Sequence, residues 1–384
     1  MLKASNRLNF IEEYYFSKKL KEIDDLKKMG RNIINLGIGS PDLPPHIDVI
    51  KTLNEFSSKD GVHCYQSYRG LSVLREAFSR WYKAFYRVNL NPETEILPLI
   101  GSKEGIVHLS MALLDAGDKV LVPNPGYPAY KAAAKLAGAE CIEYELCENN
   151  NWFPDLDSLE QMDLKNVKIM WINYPNMPTG QLPTKEFFKK IIEFGKSNNI
   201  LICHDNPYSF ILNDNPLSIL EIDNAMDYAV ELNSLSKSHN MAGWRMGMLA
   251  GNKDLMNTVL QFKSNMDSGM FLPIQMAAVK ALLLTKEWYG SLNDIYKKRR
   301  EKVFELVELL NCTYEKNQGG MFVWAKLNNG NDCYSFTDNT LNKADVFITP
   351  GGIFGSAGNN YIRISLCASE NIFQEAINRI KKSL

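Results

Sequence analysis

Short apolar runs alternate with segments of helical spacing between about residues 95 and 250. The runs at 120–123, 167–172 and 200–203 have the length of buried strands, and polar residues follow where each run ends. Between the last two runs, residues 187–192 carry apolar side chains at helical spacing. This alternation predicts an α/β fold, with a mostly parallel sheet flanked by helices and ligands bound at the carboxyl ends of its strands.

The pattern changes after about residue 275. Long helical stretches at 274–310 precede a short strand signal at 322–324. A glycine-rich turn at 348–355 then leads to a segment of alternating polarity at 361–366. These elements predict a second, smaller α+β domain.

The 384 residues exceed the length of one average domain. We predict that residues 48–275 form the large domain, and that residues 1–47 and 276–384 form the small domain together with an N-terminal arm. Apolar residues at helical spacing between Leu20 and Leu26 predict a helix in that arm.

Lys237 lies in an unusual setting for a lysine. It follows a predicted buried strand at 228–232, serines such as Ser234 flank it, and Arg245 comes eight residues later. A buried ammonium is costly unless it is paired or deprotonated. A neutral amine that forms a Schiff base with a carbonyl cofactor, beside groups that hold a phosphate, explains the arrangement. A surface turn with a solvated lysine is the alternative that this stretch alone leaves open.

A second candidate anion site lies near residue 101. A predicted strand ends at Leu99, Gly101 and Ser102 follow, and Lys103 begins a helical segment. Free amides and the helix dipole both favour a phosphate at such a helix start. A plain strand-to-helix turn fits this segment equally well.

Two charged residues lie in or directly after predicted strands, where side chains are expected to be buried. Asp205 directly follows an apolar run, so its carboxylate needs a partner that keeps it charged, unless it caps a helix. Arg363 is centred in an alternating strand, on the opposite face from Ile362 and Ile364. Such an arginine suits bidentate recognition of a carboxylate, although a surface ion pair remains possible at this stage.

Two tyrosines are not explained by core packing. Pro125 and Pro128 restrict the backbone around Tyr127, so its ring is held in one place and either covers a flat ligand or fills a cleft. Tyr65 precedes an amphipathic helix and lies outside the apolar stripe of that helix.

Composition excludes several classes of function. The net charge is −1, so nothing favours nucleic acid or a membrane surface as a partner. The seven cysteines are scattered without a CxxC pair, which predicts reduced thiols rather than disulfides or a zinc site, and we expect no metal. We see no signal peptide and no apolar run long enough to span a bilayer, so we expect a cytoplasmic protein.

Taken in order, the motifs from Asn35 to Ser365 resemble those of the class I/II (fold type I) pyridoxal-phosphate-dependent aminotransferases. The segment Leu36-Gly-Ile-Gly-Ser-Pro-Asp-Leu-Pro is similar to the aspartate and LL-diaminopimelate aminotransferase branch, as is Gly101-Ser-Lys-Glu-Gly. The resemblance implies pyridoxal 5′-phosphate as cofactor and a homodimer with shared active sites.

The resemblance also implies a role for each matching residue. Lys237 would form the Schiff base and then act as general base and acid, Asp205 would pair with the pyridinium nitrogen, and Tyr208 would bind the ring oxygen O3′. Tyr127 would stack on the ring. The phosphate would be held by Ser234, Arg245 and the amides of Ser102 and Lys103, with Tyr65 reaching the phosphate of the neighbouring subunit. Arg363 would bind the substrate α-carboxylate, helped by the backbone of Gly39.

One residue departs from the family pattern. The family commonly has Asn-Pro-Thr-Gly after the strand at 167–172, and that asparagine donates to O3′. Here Met177 precedes Pro178, and a thioether cannot donate a hydrogen bond. Either Asn176 takes the role, or Tyr208 holds O3′ alone.

The expected function is the exchange of an amino group between an L-amino acid and a 2-oxo acid by a ping-pong mechanism. A β-lyase that acts on a β-substituted amino acid is the alternative enzyme, because both reactions share the same carbanion chemistry. A ligand-sensing transcription regulator with this fold is disfavoured, because the chain has no length to spare for a DNA-binding domain. No motif that we trust identifies the substrate side chain.

Overall fold

The computed structural model describes residues 2–328, 330 and 332–383. The α-helices of these residues are α1 (Tyr15–Lys28), α2 (Ile47–Ser57), α3 (Ser72–Tyr86), α4 (Ser102–Leu113), α5 (Pro128–Ala137), α6 (Leu156–Glu160), α7 (Lys185–Asn198), α8 (Ala225–Tyr228), α9 (Leu235–Ser238), α10 (Lys253–Lys263), α11 (Leu272–Leu282), α12 (Lys286–Leu309), α13 (Cys333–Ala344) and α14 (Glu370–Ser383). The strands are β1 (Ile34–Asn35), β2 (Ile96–Leu99), β3 (Lys119–Asn124), β4 (Glu140–Glu145), β5 (Val167–Asn173), β6 (Leu201–Asp205), β7 (Ala229–Ser234), β8 (Gly247–Ala250), β9 (Cys312–Tyr314), β10 (Phe322–Leu327), β11 (Val346–Phe347), β12 (Thr349–Pro350) and β13 (Tyr361–Ser365).

A seven-stranded sheet, in the order β2-β8-β7-β6-β5-β3-β4, forms the centre of the molecule. Neighbouring strands from β7 to β4 are parallel, and β8 runs antiparallel to both β7 and β2. Helices cover both faces, which is why β6 and β7 are buried along nearly their whole length rather than at alternate residues. The predicted mostly parallel α/β fold is therefore confirmed.

The two faces of this sheet are covered by different helices. On one face α4, α5 and α10 bury side chains such as Ile106, Ala133 and Val259. On the other face α3 and α7 bury Trp81 and Phe188 against the main core. Burial of one large apolar side chain stabilises the fold by about 1.5–3 kcal/mol, so this pattern fixes the positions of the helices on the sheet.

A smaller antiparallel sheet has the order β12-β13-β10-β9, and α12, α13 and α14 pack around it. The parallel pair of β1 and β11 joins the N-terminal segment to this part of the chain. The predicted helix of the arm is present as α1, whose Ile23 packs with Leu341 and Phe347. The exact division at residues 47/48 and 275/276 stays a prediction.

The carboxyl ends of three adjacent parallel strands bring polar residues together. In the register of the sheet, Asn173 at the end of β5 pairs with Asp205 at the end of β6, and Asp205 pairs with Leu232 of β7. Because β7 ends two residues later at Ser234, α9 and its Lys237 begin at the same edge of the sheet. The topology thus gathers residues that are far apart in sequence.

Candidate active site

A cavity of about 600 Å³ opens at this edge, between the two sheets. Ten of the twelve predicted site residues line it, namely Gly39, Ser102, Lys103, Tyr127, Asp205, Tyr208, Ser234, Lys237, Arg245 and Arg363. The other two, Tyr65 and Asn176, do not. The structure thus brings ten of the predicted residues together, and the chemical role of each one stays a prediction.

Lys237 lies in α9, one short turn beyond β7. Its Nζ donates to the carbonyl oxygen of Gly39 at 2.5 Å and forms no ion pair with any carboxylate of the described residues. Burial, together with the charges of Arg363 and Arg245 and against the opposing effect of Cys367, lowers the pKa of Lys237 to about 8. A useful fraction of the amine is therefore neutral, and hence nucleophilic, near neutral pH.

Asp205 is a carboxylate with one unused oxygen. Its Oδ2 accepts a hydrogen bond from the Tyr130 hydroxyl at 2.9 Å, whereas its Oδ1 is buried and has no partner among the described residues. Burial raises the pKa of Asp205 to about 6, although the hydrogen bond from Tyr130, the ring of His204 and the nearby Ser102 act in the opposite direction. A buried acceptor that faces a cavity without a partner indicates a donor or cation in the bound ligand.

The turn before α4 leaves space for a ligand group beside Arg245. Gly101 has φ +78°, and a Cβ at this position would overlap the Arg245 guanidinium, so a side chain cannot replace the glycine. Arg245 donates to the carbonyl of Ala242 at 2.8 Å and leaves donor capacity toward the cavity. Ser234 and Ser236 lie alongside, with their hydroxyls 2.9 Å apart. Helix amides, hydroxyls and a guanidinium together suit a phosphate.

Arg363 lies on β13, across the cavity from Lys237. Its Nη2 donates to the Gly37 carbonyl at 2.7 Å, and its Nε is buried without a partner among the described residues. The rings of Phe322 and Phe354 lie 3.9 and 4.7 Å from its Cζ. Burial lowers the pKa of Arg363 to about 10, yet the group remains a cation at neutral pH. A buried cation held by aromatic faces and lacking a carboxylate is suited to bind one from a ligand.

Two tyrosines complete the wall near Asp205. Tyr127 packs edge-on against Tyr130 at 5.6 Å, and Tyr130 stacks on Trp171 at 4.9 Å. Tyr208 packs edge-on against Phe322. Burial raises the pKa of both Tyr127 and Tyr208, so both hydroxyls are neutral donors. The fixed ring predicted for Tyr127 is thus present.

Sequence reasoning missed several cavity residues. The start of α1 and the residue before it bring Tyr14, Phe16 and Leu20 to the cavity, with the Phe16 ring 5.5 Å from the Cζ of Arg363. Tyr130 was also missed, although it holds Asp205. The contacts of α1 join residues more than 300 positions apart and have no local signal. Tyr130 could have been noticed, because it shares a proline-flanked loop with Tyr127.

The loop after β5 corrects the prediction for Asn176. The Asn176 amide donates to the Asn173 carbonyl at 3.0 Å, and its oxygen accepts from the Thr179 hydroxyl at 2.8 Å. Because both ends of the side chain are already used inside the loop, it is turned away from the cavity. Met177 lines the cavity instead, with its sulfur 3.3 Å from Nη1 of Arg363.

Tyr65 lies outside the cavity of its own chain. Its side chain is 92% exposed, in a surface groove that also includes Arg69 and Asn257. A tyrosine so exposed has no structural role within this chain. Its predicted contact with a neighbouring subunit therefore remains a prediction.

The comparisons with known proteins agree with this geometry. The family described as aminotransferase class I and II matches residues 31–380. A protein of Dehalococcoides mccartyi named LL-diaminopimelate aminotransferase is 39% identical and covers 99% of this chain and 98% of its own. A protein of the same name from Aquifex aeolicus is 38% identical and covers 99% of both chains.

A solved structure gives the same result at the level of the fold. Substrate-bound BacF from Bacillus subtilis has a TM-score of 0.94 and 38% identity, and the match covers 100% of this chain and 98% of BacF. Fold and site thus define an enzyme that uses pyridoxal phosphate to transform amino acids. The chain belongs to the class I and II aminotransferases, and it is a pyridoxal-phosphate-dependent aminotransferase.

The same comparisons bear on the alternatives. The relatives named above are aminotransferases, so the β-lyase alternative is not supported. Among the described residues, no helix combines the length and the apolar character needed to cross a membrane.

Proposed function

We propose that Lys237 is the covalent partner of the cofactor aldehyde and that Asp205 and Arg363 are the two charged groups that orient cofactor and substrate. The observation that carries this proposal is the set of unused polar atoms in one cavity. Asp205 Oδ1 lacks a donor, Arg363 Nε lacks an acceptor, and the Lys237 amine has no carboxylate partner among the described residues. An amino acid bound to pyridoxal phosphate offers a partner for each.

The remaining cavity residues fit the other parts of pyridoxal phosphate. Asp205 would accept from the ring nitrogen, Tyr208 would donate to the ring oxygen, and Tyr127 would contact the ring face. The amides of Ser102 and Lys103 would hold the phosphate together with Ser234 and Arg245. No other described carboxylate lines the cavity, so Asp205 alone can accept from the ring nitrogen.

Bound pyridoxal phosphate supplies an aldehyde for the amino group and a ring that accepts the electron pair from the substrate α-carbon. Lys237 would take the proton from the α-carbon and later return it, and the first of these steps requires a neutral amine. Arg363 holds the α-carboxylate and so fixes the orientation of the α-carbon toward Lys237. Tyr14 and Phe16 of the N-terminal segment line the cavity, and their apolar rings would limit the access of water to a bound substrate.

Borohydride trapping tests the assignment of Lys237. The protein is loaded with pyridoxal phosphate, reduced with borohydride and digested, and mass spectrometry locates the labelled lysine. We expect the label at Lys237 and its loss in Lys237→Ala. The control is Lys103→Ala, since Lys103 also lines the cavity and this variant should keep the label. Labelling of Lys103 in the wild-type protein would refute the assignment.

For the amino donor, we propose LL-diaminopimelate as the first candidate, because the named relatives at 38–39% identity are LL-diaminopimelate aminotransferases. A large apolar or aromatic donor is the second candidate. It is favoured by the aromatic and sulfur-containing wall around Arg363, which includes Phe16, Phe354 and Met177. A charged side chain buried against such a wall would lack a partner there.

A donor panel separates the two candidates. LL-diaminopimelate, glutamate, aspartate, phenylalanine and methionine are compared with 2-oxoglutarate, pyruvate and oxaloacetate as acceptors. The measured quantity is kcat/KM, together with the loss of the absorbance of the loaded enzyme in half-reactions without acceptor. A preference for phenylalanine and methionine would reject the first candidate.

We propose a homodimer in which Tyr65 of each subunit completes the site of the other. Support comes from the almost complete exposure of Tyr65 and from exposed apolar side chains on adjacent segments. Tyr68 lies in the same groove, and Met266 and Phe271 flank Gly269, which packs against the segment of Tyr65. Single exposed apolar residues are common, but a group of them beside a functional residue indicates an interface.

Complementation tests the shared site. Lys237→Ala and Tyr65→Ala homodimers should each be impaired at a low concentration of cofactor. Mixed dimers contain one site with both native residues, so mixing under exchange conditions should restore activity. If mixing restores nothing although exchange is demonstrated, Tyr65 does not serve the neighbouring site.

We propose the cytoplasm as the compartment of this enzyme. All seven cysteines carry free thiols, including the exposed Cys64, which fits a reducing environment.

A further inference from the structure

A buried group of charges lies behind the turn that leads into α4. We call it the Glu104 cluster; it consists of Glu104, His108, Lys263 and Asp267. The Lys263 ammonium lies 2.6 Å from both carboxylate oxygens of Asp267 and 3.5 Å from Oε1 of Glu104. The same Oε1 lies 2.8 Å from Nε2 of His108. The side chain of Lys263 is 1% exposed and that of Glu104 is 10% exposed, so these charges are little screened by water.

The cluster is not a vacant metal site, although Glu104, His108 and Asp267 are potential ligands within reach of one another. The ammonium of Lys263 already lies among these ligands, in contact with both carboxylates. A divalent ion would have to displace this buried cation and leave it without a partner, which is costly. The cluster therefore carries its own counter-charge.

Glu104 connects the cluster to the turn before α4. It is the third residue of α4, and its Oε2 accepts a hydrogen bond from the amide of Ile100, ahead of Gly101. This contact fixes the backbone that leads into the amides of Ser102 and Lys103. Burial alone would raise the pKa of Glu104, but the hydrogen bond from His108 and the charge of Lys263 outweigh burial and lower this pKa to about 2. The carboxylate is therefore ionised at neutral pH.

An ionised carboxylate in the first turn of α4 has two opposite effects on a phosphate bound at the same helix start. It holds the turn in shape, but its negative charge repels the phosphate dianion. Among the described residues, two basic side chains lie within ion-pair distance of Glu104, namely Lys263 and His108. Because Lys263 also pairs with the Asp267 carboxylate at 2.6 Å, it offsets only part of the charge of Glu104, and it does so without occupying the phosphate site.

We propose that Lys263 is a positioning residue for the cofactor phosphate: it holds Glu104 and offsets part of its negative charge, so that the turn at 100–102 keeps its shape with less repulsion of the phosphate. This inference rests on the assignment of the phosphate to the start of α4 under Proposed function. Asp267 holds Lys263 in place from the loop after α10. That loop packs against the segment of Tyr65, since a Cβ on Gly269 would overlap the carbonyl oxygens of Gln66 and Ser67.

The test compares two ligands that differ only in the phosphate. Dissociation constants for pyridoxal phosphate and for pyridoxal are measured on the dimeric apo-protein, by absorbance and fluorescence. In Lys263→Met we expect the affinity for pyridoxal phosphate to fall roughly tenfold, because the carboxylate of Glu104 would then lie beside the phosphate without the lysine that pairs with it. The affinity for pyridoxal should change less than about twofold by the same reasoning, since it has no phosphate.

A charge-balanced double variant distinguishes the loss of charge compensation from misfolding. Lys263→Met combined with Glu104→Gln removes one positive and one negative charge, and the side-chain oxygen of the introduced glutamine can still accept from the Ile100 amide. We expect this double variant to recover most of the preference for pyridoxal phosphate. If both ligands weaken equally in Lys263→Met, or if the double variant is no better than the single one, the role of the cluster is only structural and the proposal is wrong. A loss of affinity after dialysis against EDTA would overturn it as well.

Measurements on the wild-type protein and on Arg245→Met distinguish a failure of the Lys263 proposal from a failure of the phosphate assignment. If wild-type protein binds pyridoxal as tightly as pyridoxal phosphate, or if Arg245→Met keeps the preference, then the phosphate is not held at the start of α4. If both controls behave as expected and Lys263→Met does not, only the role of Lys263 is refuted.

Discussion

Arg363 combines burial with an incomplete set of partners. Its guanidinium uses one nitrogen on the Gly37 carbonyl, and another faces the sulfur of Met177, which is a weak acceptor. The aromatic faces of Phe322 and Phe354 offset part of the cost of desolvation without forming hydrogen bonds. The residue is thus held in place and still has donors free for a planar carboxylate.

Replacement of Arg363 by lysine should separate substrate binding from cofactor binding. A lysine keeps the charge but loses the paired donors, so we expect KM for every amino donor to rise roughly 100-fold. The dissociation constant of pyridoxal phosphate should stay within about twofold of the wild-type value, because the side chain does not face the phosphate or ring nitrogen. Steady-state kinetics and cofactor titration provide the two values. An unchanged KM would show that the α-carboxylate binds elsewhere.

Substitution of Met177 tests whether the cofactor ring lacks one hydrogen bond that an asparagine at this position would donate. In Met177→Asn the new amide can donate to the ring oxygen, which stabilises the deprotonated oxygen. We expect the pH at which the absorbance of the bound cofactor titrates to fall by roughly one unit, since one hydrogen bond is worth about 1 kcal/mol. The control is Met177→Leu, which fills the same space without a donor and should titrate like the wild type. Identical titrations for the asparagine and leucine variants would contradict the proposal.

At the scale of elements, α1 connects the packing around α13 and β11 to the cavity. Ile23 anchors the helix on Leu341 and Phe347, and Lys19 donates to Asp338 of α13 at 3.1 Å. Two turns before this anchor, Phe16 lies over Arg363. The position of the cavity wall therefore depends on packing that lies outside the cavity.

Ile23→Ala should loosen this wall without touching the site. The substitution removes a side chain that is 1% exposed and should cost about 2–5 kcal/mol at the anchor. We expect a severalfold rise in KM for amino donors, a small change in kcat and an unchanged cofactor affinity. Lys21→Ala, on the exposed face of the same helix, is the matched control. A cofactor affinity that falls together with the rise in KM would show that α1 also supports the cofactor.

The sequence predicted most elements because their signals are local. Strand β5 contains the apolar run 169–172, and α3 has a clear apolar stripe, so neither depends on distant contacts for its recognition. The positions of Lys237 and Asp205 were predictable for a related reason, since both follow strands whose carboxyl ends meet at one edge. The Tyr14 and Phe16 wall and the Glu104 cluster arise from tertiary packing between distant segments, which leaves no periodicity to detect.

At the scale of the whole molecule, the cavity lowers the stability of the protein without cofactor. The sheet places Asp205 at its centre, 4% exposed, with one carboxylate oxygen unpartnered. Polar groups in this arrangement destabilise the folded chain until a ligand supplies the missing partner. Catalytic capacity and apo-protein stability are therefore opposed in this fold.

Asp205→Asn should make this opposition measurable. Burial raises the pKa of Asp205 from 3.8 to about 6, so the stabilising effect of the neutral form is complete below pH 3.8 and is lost as the pH rises through 6. A difference of about two pH units corresponds to about 3 kcal/mol. Asparagine does not ionise, so the apo form of the variant should be more stable than the wild type by about this amount at pH 8 and nearly equal to it at pH 4.

Urea unfolding between pH 4 and 8 provides the measurement, with the exposed Asp24→Asn as a control that should show no such trend. Addition of pyridoxal phosphate should remove the advantage of the asparagine variant, because the protonated ring nitrogen stabilises the ionised Asp205 and only the wild type retains this carboxylate. If apo Asp205→Asn is less stable than the wild type at pH 8, then the carboxylate already has a partner in the apo-protein. Burial without a partner would then not explain how Asp205 binds the cofactor.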